Sequence, residues 1–306
     1  MRIYPVGETT YDILFRANNP VGANSGGSAF NSAISLGRCG LPVSLISTFG
    51  TDSIGEHALT FLLKNGVECN LVTQFDGQSR IALAFFDTQN NAHYSFYPAS
   101  KDVIPQYPKP QSGDIVLLGS SFALRDNGRT ELLNFLAQAQ KNNCITIYDP
   151  TAREPLTNKP DILAKIIQNI TRATLLKGSD QDFTNIFGLH DSKSVYSKIS
   201  EVGKRVLIYT KGGAGAELLF GDLHLEIPAR ETEVISTIGA GDNFSAGIIF
   251  GICQKVTAKS NLESLTREEW ADIMNYGALF ASAVCSSSEN YIPQELATML
   301  KSDKPY

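Results

Sequence analysis

The chain has 306 residues and a formal net charge of −5, from 26 Lys and Arg against 31 Asp and Glu. Hydrophobic residues make up 42% and charged residues 19%, which is the composition of a globular protein and argues against a disordered chain. The acidic balance argues against a protein that grips the phosphate backbone of nucleic acid. No apolar run approaches the ~20 residues of a membrane span. We therefore expect neither nucleic acid nor a membrane as a partner.

The cysteines and the first residues bear on location. Five cysteines, an odd number without a C-x-x-C pair, are spread along the chain. The opening MRIYPVGETTYD lacks both the apolar segment and the small-residue cleavage site of a secretory signal. These features predict reduced thiols and a cytoplasmic location.

Strands and helices are predicted to alternate along most of the chain. Residues 28–40 have apolar side chains at helical spacing, 43–50 form an apolar run that predicts one buried strand, and 54–66 predict a second helix. The later predicted elements are strands at 114–121, 144–150, 174–179 and 205–213, and helices at 130–142, at 161–170, between the last two strands, and at 268–285. This alternation predicts an α/β fold with a mainly parallel sheet between two helical layers and ligands at the carboxyl ends of its strands.

Two stretches, 8–25 and 73–99, lack the helical period and alternate as strands do. They are interpreted either as edge hairpins of the main sheet or as a separate small β-sheet that acts as a lid. The division we predict is a main α/β domain of 1–7, 26–72 and 100–306, with a β lid of 8–25 and 73–99.

The predicted lid strand around 82–86 is apolar on both faces, because Leu83 and Phe85 alternate with two alanines and Phe86. A small sheet with two apolar faces is unstable alone in water. We therefore predict a two-fold homodimer in which the lids cover each other. The alternative is a monomer whose lid packs on its own main domain.

The strongest motif is I-G-A-G-D-N-F-S-A-G at 238–247, where a helix is predicted to begin. Small residues leave backbone N–H groups accessible at the positive end of the helix dipole, where a phosphoryl group is stabilised. Asp242 would lie in the first turn and could accept the proton of a hydroxyl that attacks phosphorus. The alternative is that Asp242 only caps the helix, for which Asp is a common residue.

Other nucleotide and metal motifs are absent from the sequence. The chain has no G-x-x-x-x-G-K-[ST] and no G-x-G-x-x-G after its first strand, which excludes a Walker-type loop and argues against a Rossmann-type oxidoreductase. The glycines at 212–215 lead into a strand-like AELLF and predict a hairpin turn. The four histidines show no spacing that suggests zinc.

Taken in order, the motifs resemble those of the ribokinase-like, or PfkB, family of sugar and small-molecule kinases over nearly the whole chain. The family's G-E-x-x-x-D corresponds to residues 7–12, G-G-x-x-x-N to 26–31, T-x-G-x-x-G to 210–215 and D-T-x-G-A-G-D to 236–242. The resemblance implies the ribokinase-like three-layer α/β/α fold with a mainly parallel central sheet and a small β-sheet lid.

The resemblance also implies roles for residues at the acceptor side. Asp242 would be the general base, and the backbone of Gly239, Ala240 and Gly241 would form an anion hole. The residues implied in substrate binding are Asp12, Gly26, Gly27, Asn31 and Arg153. Carboxylate and amide groups suit sugar hydroxyls, and a glycine admits the sugar closely. The alternatives are a turn aspartate at 12, a helix-start residue at 31 and a surface arginine at 153.

On the nucleotide side, the implied residues are Lys177, Ser179, Thr210, Gly212, Gly215 and Asn275. The alternative for Asn275 is that it only lies on the surface of a helix. The family's N-x-x-E reads S-D-Q-D at 179–182, so Asp182 would contact Mg²⁺ only through water. Ser236 stands where the family has an aspartate that helps to form a monovalent-cation site, and serine supplies no formal charge. We expect ATP and Mg²⁺ as cofactors and only a weak response to potassium.

The function expected is ATP-dependent phosphorylation of a hydroxyl of a sugar. Fructose or a related hexose or keto-sugar acid is the preferred acceptor, because GETTYDILF and YDPTAR lean towards the fructokinase and ketodeoxygluconate-kinase branch. Two alternatives stay open. One is a nucleoside kinase; the other is a non-catalytic sugar-binding relative, which Ser179 and Ser236 favour and the intact 239–242 segment opposes.

Overall fold

The structure is a computed structural model that describes residues 1–87, 92–203, 205–256 and 262–302, so residues 88–91 of the predicted lid lie outside the described part. The chain forms two compact units. The first comprises Met1, Lys109–Glu231 and Gly247–Leu279, and the second comprises Arg2–Pro108, Thr232–Ala246 and Phe280–Tyr306.

The helices and strands are numbered in chain order. The strands are β1 (Ile3–Val6), β2 (Thr10–Arg16), β3 (Asn19–Gly26), β4 (Val43–Ser44), β5 (Ser47–Gly50), β6 (Val67–Glu68), β7 (Val72–Phe75), β8 (Ile81–Phe86), β9 (Ala92–Tyr97), β10 (Ile115–Gly119), β11 (Ile145–Asp149), β12 (Leu175–Ser179), β13 (Val206–Thr210), β14 (Ala216–Phe220) and β15 (Leu223–Ile227). The helices are α1 (Ser28–Arg38), α2 (Ser53–Lys64), α3 (Arg129–Lys141), α4 (Pro160–Ile170), α5 (Asp180–Phe187), α6 (Ser192–Ser200), α7 (Ala240–Lys255), α8 (Arg267–Cys285) and α9 (Gln294–Ser302).

The strands of the first unit follow the order β15-β14-β13-β12-β11-β10. β10 to β13 are parallel neighbours, and β14 and β15 continue the sheet as an antiparallel hairpin. Every residue of β10 and β11 is buried, which is typical of a parallel sheet that helices cover on both faces. The carboxyl ends of the parallel strands lie at one edge, where α/β folds bind ligands.

In the second unit, β1, β4 and β6 are parallel neighbours. A separate, smaller sheet has the order β3-β2-β8-β9, with antiparallel pairs at its two ends and a parallel β2–β8 pair between them. Of the strands in the two stretches predicted as either edge hairpins or a separate sheet, β2, β3, β8 and β9 thus form a sheet of their own, whereas β7 pairs with β5. A large, mostly parallel sheet with a smaller, mostly antiparallel one confirms the predicted α/β fold class.

The smaller sheet carries apolar side chains on both faces of β8. Ala82 and Ala84 are fully buried on one face. Phe85, on the opposite face, stacks on Phe15 with ring centroids 4.7 Å apart. The large apolar side chains exposed on this sheet include Val21 (54%), Phe96 (46%) and Tyr97 (55%).

Two predicted elements differ from the structure. The single strand predicted over 43–50 is wrong, because β4 pairs with β6 whereas β5 pairs with β7. Leu45 and Ile46, between them, are fully buried, so the apolar run continues where the chain passes from one sheet to the other. The one helix predicted between β12 and β13 is two, since Gly188 ends α5 with a left-handed φ of 68° and Asp191 caps α6.

Two further observations concern the membrane and the thiols. Within the described ranges, no helix combines the length and apolar character that crossing a membrane requires. All five cysteines have free thiols. Burial raises the pKa of the Cys69 and Cys144 thiols to about 11, so both stay protonated and unreactive near neutral pH.

Candidate active site

Helix α7 begins at the glycine-rich motif, and hydrogen bonds fix its first turn. Gly239 has a left-handed φ of 77°, and a Cβ at this position would lie 2.8 Å from the carbonyl oxygen of Asn290. The fully buried Asn243 donates from Nδ2 to the carbonyl oxygens of Gly239 and Asn290, at 2.8 Å each. The Ser35 hydroxyl of α1 donates to Oδ1 of Asn243. The start of α7 is therefore held in place before any ligand binds.

Asp242 lies half-buried in the first turn of α7, where α1 holds it. Its Oδ2 accepts a hydrogen bond from Nδ2 of Asn31 at 2.8 Å, and its backbone carbonyl accepts one from the Ser32 hydroxyl at 2.9 Å. Asn31 is only 3% exposed, and its Oδ1 has no hydrogen-bond partner in the described part of the chain. A buried acceptor without a partner is costly, and a ligand hydroxyl would satisfy it.

The backbone of the expected anion hole is partly engaged. The N–H of Ala240, at the first position of α7, donates to the Thr237 carbonyl at 3.2 Å, and the N–H of Ile238 donates to the Ser236 hydroxyl at 3.2 Å. Both distances are at the long end of the normal range. The first N–H groups of a helix have no partner within the helix. An anion can therefore accept a hydrogen bond from the Ala240 N–H, and only the long bond to the Thr237 carbonyl is lost.

Asp12 and the two glycines before α1 lie against each other. Asp12 is buried, and its Oδ1 accepts a hydrogen bond from the Thr10 hydroxyl at 2.6 Å. A Cβ on Gly26 would lie 2.6 Å from Oδ2 of Asp12. Gly27 has a left-handed φ of 108°, and a Cβ there would lie 2.3 Å from the carbonyl oxygen of Glu8. Glycine at 26 lets the chain pass close to the Asp12 carboxylate, and glycine at 27 lets it pass close to the backbone at Glu8.

In the first unit, a buried ion pair joins Asp149, the last residue of β11, to Lys177, the middle residue of β12. Nζ of Lys177 is 2.9 Å from Oδ2 of Asp149, and the two side chains are 6% and 10% exposed. Desolvation makes such a pair a weak source of stability. The pair lies beside the carboxyl end of β11, at the edge where α/β sheets bind ligands, which favours a binding role for Lys177.

Ser179 and Asp182 form the capping box of α5. The N–H and hydroxyl of Ser179 donate to Oδ2 of Asp182 at 3.0 and 2.5 Å, and the Asp182 N–H donates to Oγ of Ser179 at 3.1 Å. Oδ1 of Asp182 accepts the N–H of Ala152 at 2.9 Å, next to the exposed Arg153. Oδ1 keeps a second lone pair, which could accept a hydrogen bond from a water molecule on Mg²⁺.

The loop between β13 and β14 is a tight turn, and the hairpin predicted there is confirmed. The N–H of Lys211 donates to the Gly215 carbonyl at 2.8 Å, and the Gly215 N–H donates to the Gly212 carbonyl at 3.0 Å. Thr210 ends β13 directly before this turn. Asn275 lies on α8 with its side chain exposed.

The predicted residues divide between the two units. The second unit holds Asp12, Gly26, Gly27, Asn31, Gly239, Ala240, Gly241 and Asp242. The first unit holds Arg153, Lys177, Ser179, Asp182, Thr210, Gly212, Gly215 and Asn275. Sequence reasoning missed the positioning residues Ser32 and Asn243. The available signal was that each of the two polar residues directly follows a motif residue in the first half of a helix.

The sequence matches a known protein family over most of its length. The family model of the pfkB family carbohydrate kinase matches residues 5–296. A fructokinase from Rhizobium leguminosarum bv. trifolii is 28% identical over 231 residues, which cover 74% of this chain and 70% of the relative.

Two solved structures share the fold of the chain. Fructokinase from Vibrio cholerae O395, with fructose, ADP and calcium ion bound, has a TM-score of 0.83 at 16% identity and 99% coverage of each chain. Aminoimidazole riboside kinase from Salmonella enterica, complexed with aminoimidazole riboside and an ATP analog, has a TM-score of 0.81 at 18% identity, covering 98% of this chain and 100% of the other.

Proposed function

The chain belongs to the pfkB family of carbohydrate kinases, and we propose that it transfers phosphate from ATP to fructose or a closely related sugar. The observation that carries this proposal is the 2.8 Å hydrogen bond from Asn31 to Asp242 beside the unpartnered, buried Oδ1 of Asn31. The Asp242 carboxylate and the unpartnered Oδ1 of Asn31 can accept hydrogen bonds from two neighbouring hydroxyls of one sugar. The 28% identity to a fructokinase supports fructose as the acceptor.

Asp242 is the general base of the proposed reaction. The acceptor hydroxyl gives its proton to the Asp242 carboxylate while its oxygen attacks the γ-phosphorus of ATP. Asn31 holds the carboxylate through Nδ2 and accepts a second sugar hydroxyl at Oδ1. The buried Asp12 accepts a further hydroxyl, and Gly26 and Gly27 let the sugar approach the backbone.

The start of α7 stabilises the charge that develops on the phosphoryl group. The N–H groups of Gly239, Ala240 and Gly241 act together with the positive end of the helix dipole. A phosphoryl oxygen replaces the Thr237 carbonyl as the partner of Ala240. The bonds that Asn243 makes to this segment keep the donors aligned, so little reorganisation accompanies the reaction.

Residues of the first unit bind the nucleotide and its metal. The buried Lys177 supplies a positive charge, and Ser179, Thr210, Gly212, Gly215 and Asn275 contribute polar and backbone contacts to ATP. Asp182 would hold Mg²⁺ through water, and the ion would neutralise charge on the phosphate oxygens. Arg153 suits a phosphate or substrate oxygen because its guanidinium donates two parallel hydrogen bonds.

The smaller sheet is proposed as a lid that closes the sugar site and mediates a homodimer. Residues 8–25 and 73–99 form this lid, and 1–7, 26–72 and 100–306 form the main domain. The large apolar side chains of Val21, Phe96 and Tyr97 are exposed on this sheet, which supports the proposal that a second subunit covers it. A cytoplasmic location is proposed because free thiols persist in reducing compartments.

The test is a panel of acceptors assayed for ATP-dependent ADP release, with the product identified by mass spectrometry. Fructose, glucose, ribose, a keto-sugar acid and a nucleoside are compared by kcat/KM. We expect fructose or a closely related sugar to give the highest value and a monophosphate product. A nucleoside that exceeds every sugar would contradict the proposed acceptor.

A further inference from the structure

A cavity of about 550 Å³ in the first unit lies against strands β13 to β15 and the starts of α5 and α6. Tyr209, Glu217 and Glu226 are register partners on these three neighbouring strands, so their side chains form a row on one face of the sheet. His224 precedes Glu226 by two residues on β15 and points to the same face. All four residues line the cavity.

Three of these side chains have the spacing of metal ligands. Nε2 of His224 lies 2.9 Å from Oε2 of Glu217 and 3.8 Å from Oε1 of Glu226. One ligand atom from each residue lies within 4.8 Å of the others. Ligand atoms ~2.1 Å from a tetrahedral zinc ion lie ~3.4 Å from one another. Small side-chain rotations would therefore bring all three atoms onto one cation.

The charges in this row also favour a cation. Glu217 and Glu226 are directly opposite on an antiparallel pair, where like charges destabilise the sheet. A cation between the two carboxylates would reduce this repulsion, since Lys211 lies against only one of them, at Oε1 of Glu217.

Lys211 fixes the Glu217 carboxylate from behind, as a residue that orients a metal ligand without binding the metal would do. Its Nζ lies 2.7 Å from Oε1 of Glu217, so the opposite oxygen, Oε2, can bind an ion while Oε1 keeps its partner. Oε2 at present accepts hydrogen bonds from Ser192 at 2.5 Å and from the His224 ring at 2.9 Å. A bound ion would replace the His224 hydrogen bond by two bonds to the metal. Ligating carboxylates in proteins are commonly hydrogen-bonded through their second oxygen in this way.

The Tyr209 hydroxyl is an independent sign of a missing ligand. Tyr209 is only 2% exposed, and its hydroxyl has no hydrogen-bond partner among residues that the structure describes. A buried hydroxyl without a partner carries a desolvation penalty. Because Tyr209 stands next to Glu217 in the row, a water molecule on a bound ion would lie within reach of it.

We propose that Glu217, His224 and Glu226 bind one divalent cation of the zinc type, with water completing its coordination and the Tyr209 hydroxyl bonded to one of these waters. Two carboxylates and an imidazole suit Zn²⁺, which this donor set binds more tightly than Mn²⁺ or Co²⁺. The three ligands are distinct from the residues proposed to bind sugar, nucleotide and Mg²⁺. The site stands on its own geometry and does not depend on the proposed acceptor.

The test is a Co²⁺ titration of the full, nucleotide-free chain after chelator treatment, followed by displacement with Zn²⁺. Equilibrium dialysis gives the stoichiometry, and visible absorption distinguishes nitrogen and oxygen ligands from thiolates, which add a strong near-ultraviolet charge-transfer band. We expect one Co²⁺ per chain, without the thiolate band, and its release by Zn²⁺.

Variants identify the ligands. His224→Ala and Glu226→Gln should each weaken Co²⁺ binding by more than the roughly tenfold effect of losing an outer-shell partner. Glu226 is 68% exposed on an edge strand, so its substitution leaves the fold intact. His190→Ala is the matched control, because His190 lines the same cavity but bonds to Thr184, and it should bind Co²⁺ as the wild type does. The proposal is overturned if the wild type binds no Co²⁺ or Zn²⁺, if a thiolate band appears, or if both ligand variants bind normally.

Discussion

Asp242→Asn is the substitution that tests the proposed chemistry most directly. It keeps the volume of the side chain and the backbone carbonyl that accepts the Ser32 hydroxyl at 2.9 Å. It removes the carboxylate that accepts the Asn31 amide at 2.8 Å and would accept the substrate proton. The variant therefore separates proton acceptance from the positioning of α7.

The expected magnitudes differ between catalysis and stability. A positioned general base contributes roughly 10²- to 10⁴-fold, so kcat should fall by that factor, or about 3–5 kcal/mol in the barrier. The Asn31 bond changes from charge-assisted to neutral, and the first turn of α7 loses a negative charge, each a change of about 1 kcal/mol in the free energy of unfolding. The KM for the sugar should change much less than kcat, because Asn31 and Asp12 remain in place.

The assay is steady-state ADP release with the best acceptor of the panel, with thermal unfolding measured in parallel. Asp222→Asn is the control, since Asp222 is an exposed residue in the β14–β15 turn and its substitution should leave kcat unchanged. A folded Asp242→Asn protein that turns over within tenfold of the wild type would refute the role of Asp242 as base.

Three further predictions concern a helix cap, the lid and the monovalent cation. Burial alone would raise the pKa of Asp52, but hydrogen bonds from Ser79 and the Gly55 N–H at the start of α2 lower it below 3.8. Asp52→Ala should therefore cost about 1–2 kcal/mol in urea unfolding at neutral pH, a difference that disappears as the pH falls through the lowered pKa; a pH-independent difference would contradict this. Phe85→Asp should convert a dimer to a monomer in sedimentation, or disorder the lid, and raise the sugar KM; a monomeric wild type with normal sugar binding in the variant would exclude the lid dimer. Replacing potassium by sodium or tetramethylammonium at constant ionic strength should change kcat little, because Ser236 is uncharged, and strong activation by potassium would mean that another group completes the cation site.

The parts of the fold that the sequence predicts are those with a local physical signal. α1 and α2 could be identified because apolar residues recur at helical spacing and glycines follow their ends. The change of sheet at Leu45 and Ile46 has no such signal, since both sides of the change are equally buried. The break between α5 and α6 did have a local signal, namely Gly188 and the capping residue Asp191. It was missed because two short helices and one longer helix have the same apolar pattern.

In the candidate site, too, the local features could be predicted from the sequence pattern, whereas the long-range contacts could not. The glycine-rich start of α7 is visible in the sequence because the backbone there needs small residues and a left-handed φ at Gly239. The bond between Asn31 and Asp242 joins residues 211 positions apart, and the resemblance to a kinase family, not periodicity, led to that pair. The hydrogen bond from Ser35 to Asn243 is also long-range and needed the packing of α1 against α7.

The cluster of Glu217, His224 and Glu226 shows why metal sites in hairpins escape a sequence search. Ligand motifs on helices repeat at fixed spacings, but here two ligands meet because Glu217 and Glu226 are register partners across the β14–β15 turn. Their separation in sequence is set by the length of the hairpin and has no value that is typical of zinc. Tyr209 joins them through the neighbouring strand, so only the order and register of three strands bring the row together. A shift of one residue in the β14–β15 register would turn Glu226 to the other face, which makes metal binding at this cluster a direct test of the register as well.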